Sequence, residues 1–434
     1  MTLGESGKTV ALATGASQTG FGRTGTVNWQ TTKKTTAFTA ANGEGYFVDT
    51  DASGAVTMTL PSSPSAGNIV AVKDYNGNFA TANLTIGRNG SPINGGSATD
   101  VVIDTNGASI VLVYVDATQG WVATQDDSST FSGISFIEAT GGTITTSGNC
   151  KIHTFTGPGT FAVSQISSTA AENVVSYMVV AGGASGGVAE GGGGGGAGGF
   201  RELKSPITPY TASPLDGYPS APNRITVTAA SFPITVGAGG AQNPGSGPAG
   251  NPGANSVFST ITSAGGGPGA RFREANDPQA AGGSGGGGTG RRTPGCGPNP
   301  GGAGNTPPVS PPQGNPGGAA NTPSPTSAND AGGGGGGATA AGTDSGYNTG
   351  QPGGAGATTN ITASPVAYAG GGGGGSQGST AGCGGAGGGG KGAPGGTAAV
   401  AGTANTGGGG GGAGQGNLGA AGGSGIVVIR YKFQ

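Results

Sequence analysis

The chain has 434 residues, 17 Lys and Arg against 19 Asp and Glu, a formal net charge of −2 and only 8% charged residues. That balance does not suit a nucleic-acid binder, which needs a basic field to displace counterions, or an acidic disordered tail. No apolar run approaches the roughly 20 residues that span a bilayer, and residues 1–10 lack the basic start and apolar core of a secretory signal. The expectation is a protein that inserts into no membrane and remains in the cytoplasm of the cell that makes it until another route, such as lysis, exposes it.

Residues 1–40 are rich in Thr, Gly and Ser with little periodicity, and Trp29 and Phe21 stand nearly alone as large aromatics. They are read as an arm that orders against another protein. Residues 41–130 read as a compact β-sandwich or barrel. Val56–Leu60 alternates and stops at Pro61; Ile69–Val72, Leu84–Ile86, Val101–Ile103, Ile110–Val115 and Trp121–Ala123 follow. Asn-Gly pairs at 76–77, 89–90, 94–95 and 106–107 mark the turns between them. Residues 131–181 supply further strands. Lys151–Phe155 and Thr160–Val163 flank Gly157-Pro158-Gly159, which reads as a hairpin, and Val174–Val180 runs into glycine.

The chain changes regime near Gly182: of 104 glycines, 81 lie beyond residue 180, as do 24 of 28 prolines. Six-glycine runs occur at 191–196, 332–337, 370–375 and 407–412. Collagen is excluded because it needs glycine at every third position. A flexible linker is the usual reading of glycine-rich sequence. The third reading is a bundle of polyglycine-II rods, each with about three residues per turn and a rise of about 3.1 Å. Glycine loses more backbone entropy on ordering than any other residue, so such rods need compensation. Without side chains the rods approach closely enough for backbone N–H and C=O groups to pair between them. Cα–H groups then add weak donation of about 0.5–1 kcal/mol each. The bracketing strands decide for the bundle. The block begins after Tyr177–Ala181 and ends in Ile426–Tyr431, so residues 182–434 form a glycine-rich domain closed by a strand at 425–433.

These segments carry a resemblance. Thr154-Phe155-Thr156, Tyr177–Gly183, Gly198-Gly199-Phe200-Arg201, Ile234–Gly240, Ser256-Val257-Phe258 and Gly425–Tyr431 resemble the glycine-rich domains of bacteriophage tail-fibre tip adhesins. Gly45–Asp49, Asn94-Gly95-Gly96 and Leu112–Trp121 are similar to a β module of marine phage fibres. The resemblance implies all-β N-terminal modules, a polyglycine-II sandwich without substantial α-helix, and loops that touch a host surface. The expected function is a virion tail fibre protein. Its partners would be tail or baseplate proteins at the N-terminal arm and a host outer-surface glycan or outer-membrane protein at the tip. Fibres of this kind are usually homotrimers, although some tip adhesins cap a trimeric fibre as monomers. A purely structural tail or virion decoration protein is the alternative.

Enzymatic patterns fail. Gly4-Glu5-Ser6-Gly7-Lys8-Thr9 resembles a phosphate loop, but Thr2 stands where its first glycine belongs. Val10–Ser17 resembles the first turn of a dehydrogenase, but no βαβ alternation follows. His153 is the single histidine, which nearly excludes Ser-His-Asp and Cys-His chemistry, and it is read as structural. Regular β-helix coils, the usual mark of a depolymerase, are not seen in the sequence. Cys150, Cys296 and Cys383 are odd in number and far apart, so neither a disulfide framework nor a zinc site is expected. Cys383, inside a glycine run, is read as a small buried thiol. No cofactor and no metal are expected.

Binding should lie on loops held by a rigid scaffold. Four insertions qualify: 200–235 with Tyr210 and Tyr218, 268–281 with Arg271, Phe272 and Arg273, the proline-rich 291–330 opening with Arg291 and Arg292, and 339–368 with Tyr347. Arginine forks suit phosphate or carboxylate, and aromatics offer an apolar face with a polar edge.

Overall fold

The computed structural model describes residues 27–95, 100–126, 136–188, 191–242, 250–270, 280–290, 299–320 and 330–433. The protein is all-β. Among the described residues, helical turns are limited to two short 3-10 segments, Ala170–Asn173 and Ala221–Asn223, and the single 3-10 residue Ala280. The chain divides into two units between Ser135 and Phe136.

In the first unit the chain winds between two sheets. β1 (Asn28–Lys34), β3 (Glu44–Val48) and β5 (Ile69–Asp74) pair parallel in one sheet. β2 (Phe38–Thr39), β4 (Val56–Thr59) and β6 (Leu84–Gly87) pair parallel in the other. Each odd strand passes to the next even one, so β1 to β6 make three stacked coils. β7 (Val101–Ile103) folds back on β6, while β8 (Ser109–Asp116) joins the first sheet antiparallel to β5 and β9 (Gly120–Asp126) follows antiparallel to β8. Between the sheets lie Tyr46, Val48, Met58, Leu60, Val70, Val72, Phe79, Leu84, Ile86, Ile110, Leu112 and Trp121. Coils were not anticipated, because they differ in length: along one sheet the aligned residues are Asn28, Glu44 and Val70, spacings that leave no repeat in the sequence. The described part of the expected arm, residues 27–40, belongs to this unit through β1 and β2; residues 1–26 lie outside the described residues.

The second unit has a sheet sandwich at one end. One sheet runs β10 (Glu138–Thr140), β13 (Gly159–Gln165), β16 (Ser231–Thr235), β17 (Ser256–Phe258), β18 (Ile261–Ser263). The other runs β11 (Thr143–Ser147), β12 (Cys150–Phe155), β21 (Ile426–Lys432), β14 (Ser176–Val180), β15 (Phe200–Leu203). The pairing expected between the two bracketing strands is present: β14 meets β21 antiparallel, Ser176 opposite Arg430 and Val180 opposite Ile426. Alternation on β21 sends Val427, Ile429 and Tyr431 into the sandwich core and Ile426 and Val428 into a second core on the opposite face. That second core is completed by a hairpin of β19 (Ala357–Thr359) and β20 (Val366–Tyr368). The hairpin expected around Gly157-Pro158-Gly159 is corrected. β12 and β13 lie in different sheets, β12 against β11 and β21, β13 against β10 and β16. The same turn residues that close a hairpin here carry the chain around a sandwich corner.

His153 sits in the sandwich core, its Nδ1 2.7 Å from the Gly141 carbonyl and its Nε2 3.0 Å from the Tyr431 hydroxyl. A carbonyl can only accept, so Nδ1 bears the proton in the neutral ring and the tyrosine donates to Nε2. Burial holds the histidine below its ordinary pKa.

Beyond the sandwich the glycine-rich chain forms rods, and their hydrogen bonds repeat every three residues. Along 191–199, Gly192, Gly195 and Gly198 donate to the carbonyls of Ala413, Gly410 and Gly407 at 2.8–2.9 Å. Gly193, Gly196 and Gly199 donate to Ala270, Gly267 and Ala264, and Gly194 and Ala197 to Gly333 and Gly336. Its carbonyls accept from three further rods, for example from Gly187, Gly287 and Gly375. Successive residues therefore point at different neighbours, the arrangement of polyglycine II, and the backbone groups pair with other rods rather than within their own. The rods 332–337, 370–375 and 407–412 are bonded in the same way on all sides and are wholly buried. Uninterrupted glycine is required there because the site of a Cβ is already filled. A Cβ on Gly193 would stand 1.9 Å from the Gly287 oxygen, and on Gly335 2.0 Å from the Gly195 oxygen.

Outer rods relax the requirement on one side. In 382–386, Gly382 and Gly385 donate inward to Gly374 and Gly371, while Cys383 and Ala386 are exposed. The expectation of a buried Cys383 is thus corrected: every third residue of a peripheral rod faces solvent. Cys150 is buried, and Cys296 lies outside the described residues.

Candidate functional site

The rod register fixes which turns share an end of the bundle. From β14 the chain leaves the sandwich through 181–188 and returns through 191–199 into β15, with Gly187 bonded to Gly193 and Ala181 to Gly199. The alternation continues: out through 264–270, 284–290, 313–320, 340–345, 369–376, 389–394 and 407–413, and back through 299–305, 330–338, 350–356, 382–387, 400–405 and 420–425. Segments 200–235, 306–312 and 357–368 are consequently at the sandwich end. The turns at 346–349, 377–381, 395–399 and 414–419 are at the far end, the first three tied together by Ser376 Oγ to Asn348 O (3.1 Å) and by the amides of Gln377 and Gly395 on Asp330 O and Gly378 O.

This separates the residues singled out from sequence. Tyr210 and Tyr218 are at the sandwich end and half-buried. The Arg430 guanidinium lies 5.3 Å from the Tyr210 ring centre, and Arg224 lies 4.5 Å from that of Tyr218. Tyr347 is at the far end and 60% exposed. Arg271, Phe272, Arg273, Arg291 and Arg292 lie outside the described residues; Ala270 and Gly290, which precede the two segments, are both at the far end, bonded to Gly193 and Gly191. The insertions 291–330 and 339–368 are not plain loops, since each contains two rods, 299–305 and 313–320 in one, 340–345 and 350–356 in the other.

At the sandwich end two charged side chains, Glu202 and Arg430, are turned inward. Glu202 is buried, one carboxylate oxygen accepting from the Thr359 hydroxyl (2.5 Å) and the other from the Ser213 amide (2.8 Å). Burial raises its pKa above the ordinary carboxylate value, and the Ser213 and Thr359 hydrogen bonds oppose that shift. Arg430 donates to Ile361 O (3.2 Å) and Pro209 O (3.1 Å). The final strand and β15 thereby clip the loops 205–215 and 357–366 onto the sheet. Burial and mutual satisfaction are the marks of a structural layer. Sequence reading missed the ordered far-end residues Asn348, Gln377, Thr397 and Leu418, the last 39% exposed. Only the parity of rods assigns a turn to an end, and the short outer rods do not announce themselves.

A glycine-rich domain family matches residues 154–432, and the chain belongs to that family. The match spans the strands of the sandwich from β12 and all the rods. No curated protein matches the chain.

Proposed function

We propose that the protein is a bacteriophage tail fibre protein that attaches to the tail through its N-terminal residues and binds a host-surface glycan or outer-membrane protein with the far-end turns of its glycine-rich unit. Binding involves no covalent change, and the chain works as a homotrimer on the virion, where several weak contacts add by avidity. One observation supports this reading above the others: rods stiffened by inter-rod hydrogen bonds return repeatedly to a single end, away from the strands, and present a set of short polar turns there. A rigid scaffold with variable turns at one end suits recognition. The test is adsorption of the purified full-length protein to host cells and its competition with infection. Retention on cells and protection from phage are expected. Absence of both would leave the purely structural tail or decoration role. Light scattering of the intact protein is expected to give a trimeric mass.

A further inference from the structure

We propose that the outer face of the first unit's larger sheet is a second binding site, a stacking platform for an uncharged glycan, separate from the far-end turns of the rods. Three rings from three coils line that face. Trp29 on β1 and Phe47 on β3 have centroids 5.0 Å apart, and Tyr75, just beyond β5, is 6.4 Å from Phe47. Trp29 and Tyr75 are 38% and 52% exposed. Trp29 lies flat because the residue beneath it is Gly45, where a Cβ would stand 2.8 Å from two indole carbons. Its second face is turned away from the sheet. A flat aromatic face with polar groups at its edge matches the apolar face and hydroxyl rim of a pyranose ring.

The polar groups are present and held. β1 bulges between Gln30 and Lys34, and bulges re-aim side chains beside functional sites. Here the bulge sets the Lys33 ammonium 5.0 Å from the Tyr75 ring centre and 2.5 Å from Asp49 Oδ2. Asn76 donates to the other Asp49 oxygen at 3.1 Å. Lys33, with its side chain 44% exposed, keeps further donors for a ligand hydroxyl. Since Asp49 neutralises the ammonium, charge complementarity favours an uncharged ligand over an acidic one.

Tryptophan fluorescence of the full-length protein tests this directly, because the other tryptophan, Trp121, is fully buried. Maltohexaose, cellohexaose and chitohexaose are the probes. At least one is expected to blue-shift the emission and protect it from acrylamide quenching, saturably. Trp29→Ala should abolish the heat of binding of the same sugar by calorimetry, a readout that does not depend on the indole itself. Tyr75→Ala, at a half-exposed position, should weaken binding by about tenfold by calorimetry, the loss expected for one stacked ring. No shift with any of the three sugars overturns the proposal. So does a fall in oligomeric mass on Tyr75→Ala without sugar binding, which would make the face a contact between copies.

Discussion

A methyl group at position 335 has nowhere to go. The nearest atoms to a Cβ there are the Gly195 oxygen and carbon at 2.0 and 2.5 Å, and backbone atoms cannot rotate aside. Overpacking a well-filled interior costs about 1–3 kcal/mol and occasionally more. Gly335→Ala is expected at or above the top of that range, lowering the melting temperature by several degrees. Gly346, at a far-end turn with nothing within 4 Å of its Cβ position, is the control, and Gly346→Ala should leave the midpoint nearly unchanged. Equal effects would mean that the rods do not contact one another through their Cα faces. The sole histidine offers a second test. His153 is held neutral by burial, its folded pKa lying below the unfolded value. It therefore contributes stability fully above about pH 6.5, and that contribution is lost as pH falls through the folded pKa. Glu202 works in the opposite sense. Its folded pKa is raised, so its contribution is present at low pH and is lost as pH rises through that folded pKa. Melting curves from pH 8 to 5 should thus fall more steeply on acidification in Glu202→Gln than in the wild type, and more shallowly in His153→Gln.

At the scale of elements, the last strand is the keystone. β21 is hydrogen-bonded on one side to β12 and on the other to β14, and it contributes to both cores. Removing residues 426–434 would open both ladders and withdraw Arg430 from the two loops it clips. The expected outcome is loss of amide protection in β12, β14 and the β19–β20 hairpin. Ile429→Val, deleting one buried methylene, should cost only about 0.5–1.5 kcal/mol. A truncated protein with unchanged exchange in β14 would show that the rods stand without their closing strand. The strands themselves were legible because alternation and Asn-Gly turns mark them; Asn89 and Asn94 take the positive φ that such turns need. Pairing partners were less legible. A Gly-Pro-Gly turn specifies reversal but not whether the chain stays in its sheet, and coils of unequal length hide a winding that hydrophobic spacing alone cannot reveal. The glycine runs were legible for the opposite reason: only a rod touched on every side forbids side chains at every position, so the four six-glycine runs mark the interior. Peripheral rods such as 340–345 and 382–386 tolerate Ala, Thr or Cys at solvent-facing positions and pass for loops.

For the molecule as a whole, the unusual feature of the second unit is what it buries. An ordinary domain removes mainly apolar side chains from water; this bundle removes mainly peptide groups, which exchange water for one another across rods. Apolar exposure raises the heat capacity of unfolding by about 0.45 cal/K/mol per Å², whereas polar exposure lowers it by about 0.26. The apolar contribution comes from the sandwich and the core beside the β19–β20 hairpin, while the rods between 181 and 425 contribute chiefly the polar term. The heat capacity of unfolding should therefore fall well below the usual value of about 12–15 cal/mol/K per residue. A smaller heat capacity change flattens the dependence of stability on temperature, so the unit should remain folded over a wide range and resist cold denaturation better than an apolar core of equal size. Differential scanning calorimetry of the full-length protein, with the first unit's transition resolved separately, measures this. A value in the ordinary range would mean that apolar burial, rather than backbone pairing between rods, dominates the second unit.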